Sequence, residues 1–241
     1  MINKIKKIFM ILFSLRFKLI FSLFKGVAAG TEHLKFLKSL ENINTILDIG
    51  AHKGQFALIS KYVFENVKIY SFDPLKSSKD KYNEILKPED GFFFFNTAIG
   101  NKNGFKQINI SKNSDSSSIL NITNKQIKTF KNTEKIKEEK IKIQKLHYII
   151  NKKKLIMPCL MKIDVQGYEL EVLKGSEKLL QNFDYLYIEC SSIEFYKDQP
   201  FFKDIRKWLK KRNFIYIKSY NHFKNLNNKT IQADYFFKRL I

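Results

Sequence analysis

The chain has 241 residues, 44% of them hydrophobic, which is enough for one domain with a substantial core and excludes global disorder. Its formal net charge is +21, yet only four of its 44 basic residues are Arg. Specific nucleic-acid recognition relies on the planar Arg guanidinium, so this composition argues against a dedicated nucleic-acid site. The Lys residues are spread along the whole chain. They reflect either codon bias or a basic face toward an anionic membrane or an acidic glycan.

The N-terminal segment, residues 1–40, is predicted to precede a domain spanning residues 41–241. Within Met1–Lys25 the longest uncharged run, Ile8–Leu15, is far shorter than the roughly 20 apolar residues that cross a bilayer. Its apolar residues fall at helical spacing, at Ile5, Ile8, Phe9 and Leu12. Two interpretations remain open: a basic amphipathic helix in peripheral contact with an anionic membrane, or a helix packed on the domain.

From residue 41 onward, strand and helix patterns alternate, which predicts an α/β fold with a mainly parallel sheet and helices on both faces. The first half is predicted to contain strands at Thr45–Gly50, Lys68–Asp73 and Gly91–Ile99, and helices at Lys53–Glu65 and Ser77–Leu86.

The middle of the chain departs from this alternation. Asn101–Gly104 reads NKNG and predicts a turn that opens a hairpin. From there to Lys154 the chain is polar and rich in Lys and Glu. We therefore expect residues 100–155 to form a variable insertion, either a solvated loop or a lid.

The second half resumes the buried pattern, with strands predicted at Cys159–Val165, Asp184–Cys190, Phe214–Tyr220 and Ala233–Leu240, and helices at Tyr168–Leu180 and Phe201–Arg212. Only a loop separates the last two strands, so they are predicted to be antiparallel. The two cysteines lie in apolar runs without disulfide or zinc spacing, which is typical of reduced thiols in a cytoplasmic protein.

A candidate cofactor site follows the first predicted strand. Gly50 permits a tight turn, and Gly54 opens a helix whose free N–H groups point into the same crevice. Asp48 could receive an amino-acid ammonium, directly or through water, and His52 lies in the turn itself. Asp73 ends the second strand, where an acid can accept both ribose hydroxyls of an adenosine. The pattern predicts an adenosyl cofactor, with ordinary strand–helix packing as the alternative.

Candidate catalytic residues follow a later strand. Asp164 lies at the strand end, where ligands bind in open α/β sheets, and it is the first candidate for a base or for positioning the acceptor. Glu189 and Glu169 are the next candidates, and Lys162 is a candidate ion-pair partner for an acid. No His, Cys or Asp cluster has metal-ligand spacing, so no metal is assigned. Magnesium held by Asp164 and a second carboxylate stays open.

A series of motifs in this order resembles the FkbM-type methyltransferase family. They are ILDIGAHKGQFA (Ile46–Ala57), YSFDP (Tyr70–Pro74), NTAIGNKNG (Asn96–Gly104), SSSIL (Ser116–Leu120), MKIDVQGYELEVLKG (Met161–Gly175), YIECSSIEFYKDQPFF (Tyr187–Phe202) and QADYFFKR (Gln232–Arg239). The resemblance extends over about residues 44–239. The Lys-rich segment Lys125–Lys154 matches little and is where acceptor specificity would lie.

This resemblance implies a Rossmann-like class I methyltransferase fold with a seven-stranded, mainly parallel sheet and an antiparallel last strand. It implies S-adenosylmethionine as the donor and O-methylation of sugars or natural-product hydroxyls. The cofactor residues it carries over are Asp48, Gly50, Gly54 and Asp73, and the active-site edge residues are Asp164, Gly167 and Glu169. In two departures, Asp73 stands where the family more often has Glu, and Gln166 replaces a common Glu.

Three functional hypotheses follow. The first is O-methylation of a hydroxyl on a sugar, glycan or lipid-linked saccharide at the cytoplasmic face of a membrane. The second keeps the methyltransferase chemistry but changes the acceptor to a small metabolite or a protein side chain. The third is a non-catalytic module of the same fold that binds an anionic membrane or nucleic acid through its Lys residues, with a steep salt dependence.

Overall fold

The computed structural model describes residues 17–240 of the chain. Ten strands in this range are Thr45–Ile49 (β1), Lys68–Phe72 (β2), Phe92–Phe95 (β3), Ala98–Ile99 (β4), Gly104–Ser111 (β5), Lys135–Gln144 (β6), Cys159–Ile163 (β7), Tyr185–Ser191 (β8), Phe214–Lys224 (β9) and Thr230–Arg239 (β10). The α-helices in the same range are Phe17–Phe24 (α1), Leu34–Leu37 (α2), Gln55–Val63 (α3), Lys76–Ile85 (α4), Asn124–Thr129 (α5), Glu169–Leu180 (α6) and Phe202–Lys210 (α7).

Seven strands form the main sheet in the order β3-β2-β1-β7-β8-β10-β9. The pairs from β3 to β8 are parallel, and β10 runs antiparallel to both β8 and β9. All five residues of β1 and all five of β7 are buried, as expected for central parallel strands covered on both faces. The predicted α/β fold with an antiparallel last strand is confirmed.

Each face of the main sheet carries its own core. Along β1, Ile46 belongs to the core under α3 and α4, whereas Leu47 and Ile49 belong to the opposite core under α6 and α7. This alternation is the two-residue period of a strand, which directs successive side chains to opposite faces. Each residue of β1 therefore packs against the helices on the face toward which its side chain points.

Acidic residues stabilise the starts of two helices, α6 and α7. Glu169 and Glu171 occupy the first turn of α6, where the positive end of the helix dipole favours acids. The Asp204 carboxylate accepts the backbone N–H of Phe201 at 3.0 Å and caps α7. These acids therefore stabilise the N-terminal ends of both helices.

The N-terminal segment packs on the domain over its described part. Leu19 of α1 and Phe36 and Leu37 of α2 are buried in the same core as α3. Lys25 Nζ lies 2.8 Å from Glu84 Oε1, and Lys18 forms an ion pair with Asp90. The predicted apolar face from Ile5 to Leu12 lies outside the described residues. Within residues 17–240, no helix has the length and apolar character needed to cross a bilayer.

Three predictions for the middle of the chain are wrong. The single strand predicted at Gly91–Ile99 is two strands, because β3 joins the main sheet and β4 joins a second sheet. That second sheet has the order β4-β6-β5, so the residues predicted to be a solvated loop or lid contain long paired strands. The turn at Asn101–Gly104 does not open a hairpin, because β6 lies between β4 and β5.

The second sheet folds because its apolar residues alternate with Lys. Ile108 and Ile110 of β5 and Ile141 and Ile143 of β6 are buried against the core under α6 and α7. The intervening residues on β6 are Lys and Glu that remain largely exposed. The second sheet therefore extends the core that lies under α6 and α7.

Candidate functional site

A cavity of about 280 Å³ opens at the carboxyl ends of β1, β2 and β7. In open α/β sheets this edge is where ligands bind. Of the predicted site residues, Gly50, His52, Asp73 and Asp164 line it, whereas Asp48, Gly54, Glu169 and Glu189 lie outside its lining. The structure therefore brings four of the predicted residues to the cavity wall and places the others behind it.

The turn after β1 requires glycine at Gly50. Its φ is +80°, and an added Cβ would lie 1.7 Å from the carbonyl oxygen of Asp164. Gly54 has a φ of +90° and caps α3, where Tyr82 and Leu86 pack against it. The two glycines allow the β1–α3 turn to approach both β7 and α4 closely.

Asp73 follows β2 and holds this turn with its carboxylate. One oxygen accepts the backbone N–H of His52 at 3.0 Å, and the other accepts that of Leu75 at 2.9 Å. Burial raises the pKa of Asp73 to about 6. Each carboxylate oxygen has a second acceptor position, so Asp73 can still receive hydroxyl groups from a ligand in the cavity.

His52 links the turn to the loop that follows β5. Its Nε2 lies 2.8 Å from Ser114 Oγ, and its Nδ1 lies 3.1 Å from Gln55 Nε2. Burial lowers the pKa of this imidazole to about 4, so the ring is neutral near pH 7. His52 therefore contributes a neutral polar side chain to the cavity lining. Its predicted contact with the cofactor stays a prediction.

Asp48 is fully buried and faces Lys162 on the neighbouring strand, with 3.3 Å between Oδ1 and Nζ. The register pairs the two residues across β1 and β7. Lys162 Nζ also donates to the carbonyl oxygen of Gly50 at 3.0 Å and lies 3.5 Å from Asp164 Oδ2. The expected ion pair of Lys162 is present. Lys162 lines the cavity and Asp48 does not, and the predicted contact of Asp48 with an amino-acid ammonium stays a prediction.

Gln166 joins the two predicted catalytic carboxylates. Its Nε2 donates to Asp164 Oδ1 at 2.7 Å and to Glu189 Oε2 at 3.1 Å, while its Oε1 accepts the hydroxyl of Tyr196 at 2.7 Å. Burial, followed by repulsion from Asp164, raises the pKa of Glu189 well above its ordinary range. An amide suits this position because a carboxylate here could donate to neither Asp164 nor Glu189 and would repel both.

The Glu169 carboxylate accepts hydrogen bonds from the backbone of the turn between β7 and α6. Its Oε1 accepts the N–H of Gly167 at 2.9 Å and that of Val165 at 3.3 Å. Burial raises the pKa of this carboxyl to about 7. These contacts give Glu169 a positioning role for Asp164 and Gln166, and its predicted catalytic role stays a prediction.

Sequence reasoning missed several cavity residues. Glu32 and His33 come from the segment before β1, and Asp115 and Ser118 come from the loop after β5. The Ser-rich motif SSSIL was a signal for this loop, whereas no local pattern marked Glu32 or His33. Although Lys125–Lys154 was expected to contain acceptor specificity, none of its residues lines the cavity. Among residues 17–240, no group of three or more His, Cys, Asp or Glu could hold a metal ion.

A mainly parallel sheet in this strand order, closed by the antiparallel β10, with a glycine turn after β1 and an acid after β2, is a class I methyltransferase fold. A model of the methyltransferase FkbM domain matches residues 48–216. The chain belongs to the FkbM methyltransferase family. The predicted family is therefore confirmed, and the protein is an S-adenosylmethionine-dependent methyltransferase.

Among solved structures, the chain is similar to magnesium protoporphyrin IX methyltransferase from Synechocystis PCC 6803 with bound S-adenosylmethionine. The identity is 12%, the TM-score is 0.49, and the match covers 86% of this chain and 76% of the other. It is also similar to an rRNA methylase from Streptococcus thermophilus, with 14% identity, a TM-score of 0.45, and coverage of 86% and 94%. No curated protein matches the chain.

The cavity fits the donor that the family implies. Gly50 lines the cavity, Asp73 offers carboxylate oxygens for ribose hydroxyls, and the volume is close to the lower end of ligand sites, about 300 Å³. Gly50, His52 and Asp73 would hold the adenosyl part on the β1 and β2 side. When bound, S-adenosylmethionine supplies a methyl group on a positively charged sulfur.

The predicted contact of Asp73 with the ribose implies that donor binding depends on pH. Its pKa of about 6 means that the carboxylate becomes protonated as the pH falls through this value. Charge-assisted hydrogen bonds exceed neutral ones by about 1.4 kcal/mol, which corresponds to tenfold in affinity. In calorimetric titrations of the wild type, we expect S-adenosylhomocysteine to bind about tenfold more weakly at pH 5 than at pH 7.5. Asp73→Asn should bind at the weaker level at both pH values.

The control for this titration is Asp80→Asn, since Asp80 is an exposed acid on the neighbouring helix α4. Its binding curve should follow the wild type at both pH values. If Asp73→Asn kept the wild-type affinity at pH 7.5, the carboxylate would not receive the ribose, and the assignment would be wrong.

Proposed function

We propose that this methyltransferase transfers the methyl group to a hydroxyl of a sugar, a glycan or a lipid-linked saccharide. The observation that carries the proposal is the polar rim beside the donor side of the cavity. Ser114, Asp115 and Ser118 line one side of this rim, and Asp164 and Gln166 line another. A polyhydroxyl acceptor suits it because the carboxylate and serine oxygens of this rim can accept hydrogen bonds from several hydroxyl groups.

Asp164 is the central residue of this rim. Its side chain is 31% exposed, in contrast to the fully buried Asp48. Gln166 fixes one carboxylate oxygen by the 2.7 Å hydrogen bond, and the other lies 3.5 Å from Lys162 Nζ. A carboxylate held in this way can accept the acceptor hydroxyl and orient its oxygen toward the methyl group. Such positioning accounts for a large part of enzymatic rate enhancement.

The basic N-terminal segment supports a membrane location for the acceptor. Residues 1–16 contain Lys4, Lys6, Lys7 and Arg16 and lie outside the described residues. Helix α1, which follows this segment in the chain, ends at Phe24, which is 87% exposed. Basic and aromatic groups together favour an anionic lipid surface, and the lipid-linked saccharide of the proposal would be presented at its cytoplasmic side.

The deciding experiment is a methyl-transfer assay with radiolabelled S-adenosylmethionine across acceptor classes. One class is the methyl glycosides of glucose, galactose, mannose and rhamnose, and another is a lipid-linked saccharide in anionic or phosphatidylcholine vesicles. Catechol, a basic peptide and a tRNA represent the other classes. We expect label on a saccharide hydroxyl, with the lipid-linked form favoured in anionic vesicles. Asp164→Asn should reduce turnover about 100-fold or more, while the exposed-site variant Asp80→Asn should not.

Each other outcome contradicts the proposal in a distinct way. Label on catechol or peptide would assign the acceptor to a small metabolite or a protein side chain. Salt-sensitive binding of tRNA or anionic vesicles without label on any acceptor would favour a non-catalytic module. Equal turnover in the two kinds of vesicle would remove the membrane part of the proposal and leave the saccharide part intact.

A further inference from the structure

The carboxylate of Asp234 on β10 is buried next to His33, which lines the cavity. Its Oδ2 accepts hydrogen bonds from Tyr187 Oη at 2.9 Å and from Asn221 Nδ2 at 2.7 Å. These donors come from the adjacent strands β8 and β9, so three strands fix one oxygen atom. Neither Asp234 nor Asn221 falls within the region that matches the family model, residues 48–216.

His33 lies directly against this carboxylate. Its Nδ1 is 3.5 Å from Asp234 Oδ2 and 3.3 Å from Tyr187 Oη. The rings of Phe56 and Tyr187 pack edge-on against the imidazole, with centroids 5.1 and 5.6 Å away. The ring orientation is therefore fixed by packing on its sides and by polar groups at one nitrogen.

The other ring nitrogen lies near Glu32. His33 Nε2 is 4.0 Å from Glu32 Oε1, and both residues line the cavity. If Nδ1 carries the ring proton and faces Asp234, Nε2 keeps a free lone pair. The Asp234 carboxylate beside Nδ1 favours this tautomer over the one in which Nδ1 accepts from Asn221 Nδ2, which lies 3.2 Å away. Histidine backed by a carboxylate is a general-base arrangement.

The sheet order places His33 away from the donor strands. Gly50 and Asp73, the donor residues, follow β1 and β2, on one side of the sheet centre. The polar groups at His33 Nδ1 come from β8, β10 and β9, beyond β7 on the other side. One face of the ring packs against Phe56 of α3, the helix that follows the donor turn. Asp164, at the end of β7, lies between these two sets. His33 therefore joins the donor turn's helix to the strands on the acceptor half of the cavity.

We propose that His33 is the general base that removes the acceptor proton, and that Asp234 is its positioning residue. This inference rests on the proposed function, since it concerns the hydroxyl acceptor. The acceptor oxygen forms its bond to the methyl carbon, and the electron pair of the broken carbon–sulfur bond stays on sulfur. The hydroxyl proton passes to His33 Nε2 and then to solvent. Asp164 keeps its role of orienting the hydroxyl.

The first test is the tautomer of His33, which needs no acceptor. The chain has four His, so ¹⁵N-histidine labelling of the full-length protein gives a simple two-bond ¹H–¹⁵N correlation spectrum. The His33 signal is the one lost in His33→Asn. We expect the wild-type ring to be protonated at Nδ1. Asp234→Asn should move the neutral ring toward the Nε2-protonated form, because the carboxylate partner is gone.

The second test separates catalysis from binding, using the methyl glycoside that is methylated fastest. His33→Asn keeps a donor near Asp234 but removes Nε2. We expect kcat to fall about 10²- to 10⁴-fold with little change in KM or in the affinity for S-adenosylhomocysteine. Asp234→Asn should lower kcat in the same direction. The control His222→Asn, on the exposed part of β9, should match the wild type in all three quantities.

The outcomes distinguish this inference from the proposed function. An Nε2-protonated wild-type ring, an unchanged kcat, or loss of S-adenosylhomocysteine binding in His33→Asn would each overturn the assignment; the last would make His33 a donor contact. If no glycoside is methylated, the saccharide proposal fails, but the tautomer still tests the role of Asp234 in orienting His33. A ring protonated at Nδ1 supports that role, and a ring protonated at Nε2 overturns it.

Discussion

Replacing Gly50 with alanine is expected to destabilise the fold by about 2–5 kcal/mol and to abolish binding of S-adenosylhomocysteine. The left-handed φ of +80° costs a non-glycine residue about 1–2 kcal/mol. The new Cβ would lie 1.7 Å from the Asp164 carbonyl oxygen, so the backbone must shift, and overpacking of this kind costs about 1–3 kcal/mol more. The shift moves the turn that faces the donor and the strand end that carries Asp164.

Gly26→Ala is a matched control for this substitution. Gly26 has nearly the same φ, +78°, but an added Cβ there meets nothing within 4 Å. Urea unfolding should therefore show only the conformational cost at Gly26, about 1–2 kcal/mol, and calorimetry should show unchanged S-adenosylhomocysteine binding. Equal losses of stability in the two variants would mean that the contact between the β1 turn and Asp164 is not a close one.

The central strands and the helices beside them could be predicted from the sequence because they are short, continuous apolar runs ended by glycine or an acid. The run TILDIG and the observed β1, Thr45–Ile49, differ by one residue. The second sheet could not be predicted in this way. In β6, Lys and Glu alternate with Ile141 and Ile143, and the high Lys content of the whole chain hides this two-residue period.

Within the site, the residues at strand ends were predictable and the partners across strands were not. Gly50, Asp73 and Asp164 follow from the rule that ligands bind at the carboxyl edge of the sheet. The position of Asp48 depends on β1 and β7 being neighbours in a register that opposes it to Lys162. The contact of His33 with Asp234 joins residues 201 positions apart in the sequence, and no local pattern carries that information.

Lys162→Met is expected to destabilise the fold by about 3–5 kcal/mol, because it leaves the Asp48 carboxylate buried without a cation. Lys162 is only 5% exposed. Burial lowers the pKa of its ammonium, but attraction to Asp48 and Asp164 outweighs this and raises the pKa above its ordinary value, so the group stays charged. The ammonium also holds the carbonyl of Gly50, so the substitution should weaken S-adenosylhomocysteine binding as well.

A double-mutant cycle separates the charge from the packing. In Asp48→Asn/Lys162→Met both charges are gone, and we expect the double variant to be more stable than Lys162→Met alone, since no unpaired ion remains buried. Lys112→Met removes an exposed pair with Glu134 and should cost about 0–1 kcal/mol in the same urea titrations. If Lys162→Met cost no more than this, the Asp48 carboxyl would be protonated in the native state. Lys162 would then act on the site only through its hydrogen bond to Gly50, and the loss of donor binding would persist without a loss of stability.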